Sequence, residues 1–180
     1  MEIEFQEDKF RELILYIALR SESDRKFGAV KLNKILFYSD FNAYRESGQP
    51  ITGADYQHIG EGPAPRNFLP IRRRMLAADE IKIESRPYMT KFQKRIVAKR
   101  PPDLSKFTTD EIRIVDEVIS EFWELNATEV TDLSHEEYGW RLTDDGESIP
   151  YTAALFSADQ LTQEQIEVGQ EIAAKHELKA

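Results

Sequence analysis

The 180-residue chain contains no cysteine. That absence excludes a disulfide framework, a thiolate nucleophile and any cysteine-ligated zinc or iron–sulfur site. It also removes any need for an oxidising compartment. Long apolar runs are missing too: nothing approaches the roughly 18 consecutive apolar residues that a spanning helix requires. The opening "MEIEFQEDKFRELILYIALR" is acidic where a signal peptide would be basic, and charges interrupt its apolar residues. A cytoplasmic protein with no membrane association is expected. Histidine is scarce, and none of His58, His135 and His176 stands at the His-Glu-x-x-His spacing of a zinc helix. No metal or cofactor site is expected.

Positive charge is likewise in deficit. Lys and Arg number 24 against 33 Asp and Glu, a net charge of −9, which argues against broad nucleic-acid binding. The deficit is uneven. Residues 1–65 carry −3, residues 66–106 carry +8 and residues 107–180 carry −14. Either the basic middle packs against the acidic end, or one or both zones steer a charged partner.

What is present is enough for a core. Hydrophobic residues make up 41% of the chain, and its length suits a single domain over 1–180. Phe10, Leu13, Ile14 and Ile17 recur at the spacing of one helical face. Ser21–Arg25 reads as a polar loop. "AVKLNKILFYSDFNAYRES" predicts a second helix, stopped by Gly48. Leu32, Ile35, Leu36 and Ser39 share one side of it, and Phe37, Phe41 and Tyr44 another. It is apolar nearly all round between Ile35 and Tyr38, which predicts a central position. Lys31, Lys34 and Arg45 are expected to keep one strip wet.

Further along, "DYQHI" alternates as a short strand does, and a helix is expected from Asn67 to Ala78 with Pro70 in its first turn. Period-two runs flank "SRPYMTK" and predict a hairpin, with Ile81 and Ile83 opposite Ile96 and Ala98. With the Tyr56 segment it could form a three-stranded sheet. "PPDLSKF" reads as a rigid linker. Thr108 and Glu111 spell a capping box for a helix that buries Ile112, Val115, Val118, Ile119 and Phe122 and ends near Asn126. A short helix over Thr128–Leu133 and an aromatic anchor at Trp140 follow. Thr162 and Gln165 spell a second capping box, opening a last helix over 162–177. The expected fold class is α+β, mainly helical: a compact helical domain with a small antiparallel sheet or β-hairpin.

The stretch "GADYQHIGEGPAPRNFLPIRRRM", Gly53–Met75, poses the functional question. Gly60-Glu61-Gly62-Pro63 fits neither a Walker loop nor a dinucleotide fingerprint. Its glutamate would repel phosphate, and Pro63 and Pro65 remove N–H groups that a phosphate cradle uses. It reads as a stiff turn in which Gly60 and Gly62 permit unusual dihedrals. Arg72, Arg73 and Arg74 fan over about 200° of helix and cannot grip one phosphate. With Arg66, Lys82, Lys91 and Arg95 they could form a basic patch, or they could be a solvated, ion-paired face. Adjacent Ser134 and His135 diverge and make no nucleophile–base pair; His135 is expected to cap or pack beside Trp140. The carboxylates of "HEE", "TDDGE" and "SEFWE" read as surface groups, none marked as buried. No catalytic residue is nominated, and the chain is not expected to be an enzyme.

Several of these stretches together resemble the signature of the Panacea domain family, the SocA-like antitoxins, also linked to phage-associated proteins. The matching pieces are the helix Lys31–Tyr38, the Gly48–Ile51 turn, Tyr56, the Gly62–Pro65 loop, and Leu133, Ser134 and His135 ahead of Trp140. They span about residues 28–142, in order. The Glu80–Arg100 hairpin is longer and more charged than the family pattern, so no partner surface is carried over there. The resemblance implies a bacterial, cytoplasmic antitoxin that neutralises a co-encoded toxin protein of a toxin–antitoxin system by direct contact. A nucleic-acid-binding regulator using residues 66–106 is the runner-up, and self-association is left open. The expected partner-binding residues are Lys31, Lys34, Tyr38, Tyr56, Gly62, Pro63 and Arg66, which either contact and frame the partner or merely pack.

Overall fold

A computed structural model of the chain describes residues 3–156. The helix expected over 162–177, its capping box and His176 lie outside these residues. Helix α1 (Glu7–Arg20) starts with Glu7 and Asp8, whose charges suit the positive end of the helix dipole. Its face of Phe10, Leu13, Ile14 and Ile17 is completely buried. Helix α2 (Ala29–Ser47) ends at Gly48 in the left-handed conformation, φ 74°, which glycine adopts without a Cβ penalty.

The near-continuous apolar surface of α2 makes it the hub. It packs against α1, against β2 (Ala64–Pro65) and β4 (Lys91–Ala98), against α4 (Thr109–Phe122) and α5 (Ala127–His135), and against a 3₁₀ turn at Tyr151–Leu155. Between these lie β1 (Tyr56–Gln57), α3 (Phe68–Ala77) and β3 (Ile81–Tyr88); α6 (Tyr138–Arg141) follows α5. The fold is α+β and mainly helical, with two small antiparallel sheets.

The hairpin β3–β4 has the expected register, Ile81 opposite Ala98 and Ile83 opposite Ile96. The pairing continues through "SRPYMTK" to Tyr88 and Lys91, so the turn is only Met89–Thr90, with Met89 at φ 52°. The three-stranded sheet does not form. Instead β1 pairs with β2, the returning side of its own loop, and Gln57 bridges to Ser148. Helix α3 intervenes between this pair and the hairpin, so the chain leaves the first sheet before the second begins. The linker contains a 3₁₀ turn at Leu104–Lys106. Thr108 and Glu111 form the predicted capping box, but α4 stops at Phe122, because Asn126 is already the cap of α5. The one-turn helix α6 went unforeseen because four residues show no period.

Charge segregation resolves locally. Among the described residues, the ion pairs of the basic middle run to Glu7, Glu12, Asp55, Asp79, Glu80 and Glu84, not to the acidic C-terminal zone. Arg100 holds Glu12 and Glu80 at 2.7 Å each and so ties the end of β4 to α1.

Asp40 is the most deeply buried carboxylate among the described residues. Asp40, fully enclosed in α2, accepts hydrogen bonds from the Thr52 backbone N–H (2.6 Å), the Thr52 hydroxyl (2.5 Å) and the Tyr56 hydroxyl (2.8 Å). Burial outweighs these donors and pushes its carboxyl up to about 6. The raised value means that the native state holds the Asp40 proton more tightly than the unfolded chain does. Its contribution to stability is therefore present below about pH 4 and is lost as pH rises through 6. Urea titrations of wild type and Asp40→Asn between pH 4 and 7 check this. The advantage of wild type over the variant should shrink by about 2–3 kcal/mol across that range; a constant difference would show that Asp40 does not titrate there.

Candidate partner-binding site

The glycine–proline loop is held from below by α2. Lys34 rises from the helix into the concave side of the loop and donates to the carbonyls of Glu61 and Pro63, the latter at 3.0 Å. Only 1% of it is exposed. Burial pulls its ammonium down to about 7, and the charge of Glu61 opposes that only partly. Gly62, at φ 84°, is what lets the loop wrap so closely. A Cβ there would stand 2.2 Å from the Ser134 hydroxyl of α5 and 2.7 Å from Lys34 Nζ. Gly60 takes no left-handed conformation, so only one of the two glycines works as expected. The neighbouring Lys31 is as deeply buried; it holds Asp24 at 2.6 Å and the carbonyls of Trp123 and Leu125 at 3.1 and 2.9 Å.

The wet strip is thereby overturned for Lys31 and Lys34. A lysine stem is apolar enough to cross a core when its ammonium meets carbonyls at the far end. Tyr56 is also buried, through its Asp40 bond, as are Gly62 and Pro63. Of the seven expected partner-binding residues, only Arg66 is exposed and Tyr38 half-buried. Arg66 is a surface tie: it donates to Asp55 (2.9 Å), Gln57 (3.0 Å), the Gly146 carbonyl (2.9 Å) and Ser148 (3.2 Å). It thus binds β1 to the segment that follows α6. Nearby, Trp140 lies between His58 and His135, the rings stacked at 4.2 and 4.0 Å, as expected of His135.

Tyr38 leads to the surface. Its ring meets Phe122 edge-on at 5.1 Å and forms the floor of a groove of about 320 Å³ between α2, α4 and α5. Leu133, 44% exposed, supplies one wall. Glu121, Glu136 and Glu137 rim it and have no ion-pair partner among the described residues. Burial first, then the charge of Glu137, pushes the Tyr38 hydroxyl far up, so it remains a donor. Arg45, the one cation at the rim among the described residues, donates to the Ala154 carbonyl at 2.7 Å. The sequence flagged Glu121 only as one of many acids, and Leu133 only within the Leu-Ser-His piece. The excess of acid after residue 106 was the available signal.

The residues that close this loop and groove coincide with a known pattern. The family model described as "Antitoxin SocA-like, Panacea domain" matches residues 32–141, more than half of the chain. The chain belongs to that family. Curated proteins and solved structures give no match. Within this Panacea domain, the matched stretch runs from the buried face of α2 to the end of α6 and takes in Lys34, the loop, Ser134 and Trp140. The signature pieces are those whose polar groups are spent inside. No helix among the described residues is long and apolar enough to cross a membrane.

The contrast between the two loop glycines is measurable. Gly62→Ala should lower unfolding stability by about 2–4 kcal/mol, from a forced left-handed Ala plus the collision with Ser134 and Lys34. Gly60→Ala, with open space around its Cβ, should stay within about 0.5 kcal/mol. Chemical denaturation of both variants checks this, and equal effects would contradict the geometry.

Proposed function

We propose that this Panacea domain is a non-enzymatic antitoxin that neutralises a co-encoded toxin protein by direct contact in the cytoplasm. The contact centres on the Tyr38 groove, and the occupant is a basic segment of the toxin. Family membership supports the antitoxin reading. The observation that carries the site is the groove itself. An aromatic floor of Tyr38 and Phe122 and an exposed Leu133 sit beside three carboxylates without ion partners among the described residues. Such a surface receives an apolar side chain flanked by Lys or Arg, the apolar part supplying affinity and the charges orientation and encounter rate. The earlier surface is narrowed accordingly. Lys31, Lys34, Tyr56, Gly62 and Pro63 act as the frame that holds α2, α5 and the loop in place. Tyr38 is the contact residue, and Arg66 braces the edge.

The test is co-expression with the product of the neighbouring open reading frame. Leu133→Arg and Glu121→Lys alter exposed side chains and should leave the thermal melt unchanged. Each should weaken toxin binding about tenfold or more and reduce rescue of growth. Full rescue by both variants would reject the groove. A neighbour that is harmless when expressed alone would reject the antitoxin reading.

A further inference from the structure

The turn after α1 faces the tip of the β3–β4 hairpin. Between them lies a pocket of about 510 Å³, within the size range of small-molecule sites, about 300–1,000 Å³. Its lining is mostly cationic: Arg25, Lys26, Arg86 and Arg95 stand against Glu22, while Glu84 holds Arg86 at 2.7 Å and Glu124 lies 3.7 Å from Lys26 just outside the lining.

Arg95 is the unusual member. It is 2% exposed, yet it makes no salt bridge among the described residues. Its guanidinium donates to three backbone carbonyls, Ser21 (2.7 Å), Glu22 (2.9 Å) and Asp24 (2.9 Å), and its Nε–H has no partner. The nearest buried acid, Asp24, is already taken by Lys31 at 2.6 Å. The enclosed cluster of Arg95, Lys31 and Asp24 therefore holds two cations and one anion. Buried charge without a counter-ion is costly, and burial together with the repulsion of Arg86 pulls the Arg95 guanidinium below its ordinary value. An anion in the adjoining pocket would relieve both.

We infer that this pocket binds the phosphate monoester of a small organic molecule of mononucleotide size. Three features select that chemistry. Two of the four cations, Arg25 and Arg95, have no carboxylate partner among the described residues, which suits a dianion better than a carboxylate; a phosphate monoester carries about −1.5 to −2 at neutral pH. Guanidinium groups match the oxyanion geometry. Pro87, Tyr88 and Met89 form a wall beside the cations, where Tyr88 offers a ring for the organic part to stack on. The cations converge on a pocket rather than run as a stripe, which favours a single terminal phosphate over a nucleic-acid backbone. The site shares no residue with the Tyr38 groove, so the two stand or fall separately.

The experiment titrates the full chain at low ionic strength with inorganic phosphate, AMP and acetate, each against potassium chloride at matched ionic strength, followed by calorimetry and thermal melting. Phosphate and AMP should bind saturably and raise the melting temperature, AMP more strongly, while acetate has little effect. Arg86→Gln and Arg25→Gln, the latter at an exposed position outside the hairpin, should each weaken AMP binding about tenfold, with unchanged melts in the absence of ligand. Phosphate binding equal to that of AMP would overturn the organic ligand. No saturable binding beyond chloride, acetate binding as well as phosphate, or AMP affinity untouched in both variants would overturn the site.

Discussion

Three charged side chains of one helix turn inward, and the rest of the domain is arranged around what they hold. Lys31, Lys34 and Asp40 all lie on α2, and each is at most 1% exposed. Each reaches a segment with little regular structure of its own: Lys31 the turn before α2 and the chain after α4, Lys34 the glycine–proline loop, Asp40 the stretch from Thr52 to Tyr56. Burying such groups unpaired would cost several kcal/mol each. Here the carbonyls, N–H groups and hydroxyls they meet would themselves lack partners in the interior. The helix thus satisfies the loops, and the loops satisfy the helix.

This arrangement explains how short strands and one-turn helices persist. Two-residue strands such as β1 and β2 have no independent stability. They hold because Tyr56 is bolted to Asp40 on one side, and because the His58 and Tyr56 backbones pair with the 146–149 segment on the other. Arg66 closes the same junction from the surface. The loop meets α5 at Ser134, which stands against Gly62, and α5 carries Leu133, one wall of the groove. A rigid frame of this kind limits the ordering cost when a partner binds.

The division of labour also accounts for the fate of the family signature. Lys34, Tyr56, Gly62 and Pro63 are buried, so the signature largely describes the frame. The exposed groups, Glu121, Leu133 and Glu136 at the groove and Arg25 at the pocket beside the hairpin tip, mostly lie outside its pieces.

Periodicity made much of the fold legible in the residues themselves. The stripe of α1, the all-round apolar α2 with its Gly48 stop, the Thr108–Glu111 cap of α4 and the Ile81–Ala98 register are local or repeating features, and local sequence determines them. The destination of long polar side chains was not legible. A lysine on a helix reads as solvent-facing unless one knows that carbonyls from residues 61 and 63, or 123 and 125, will come to meet it. Those partners are distant in sequence, as are the partners of Asp40 and of Arg95, and the groove at Tyr38 needs three helices to exist. Composition and spacing decided which segments would be helix, hairpin or turn. Only the tertiary structure decided which charges are internal bolts and which remain on the surface, because hydrogen-bond satisfaction of a buried charge is set by neighbours in space and not along the chain.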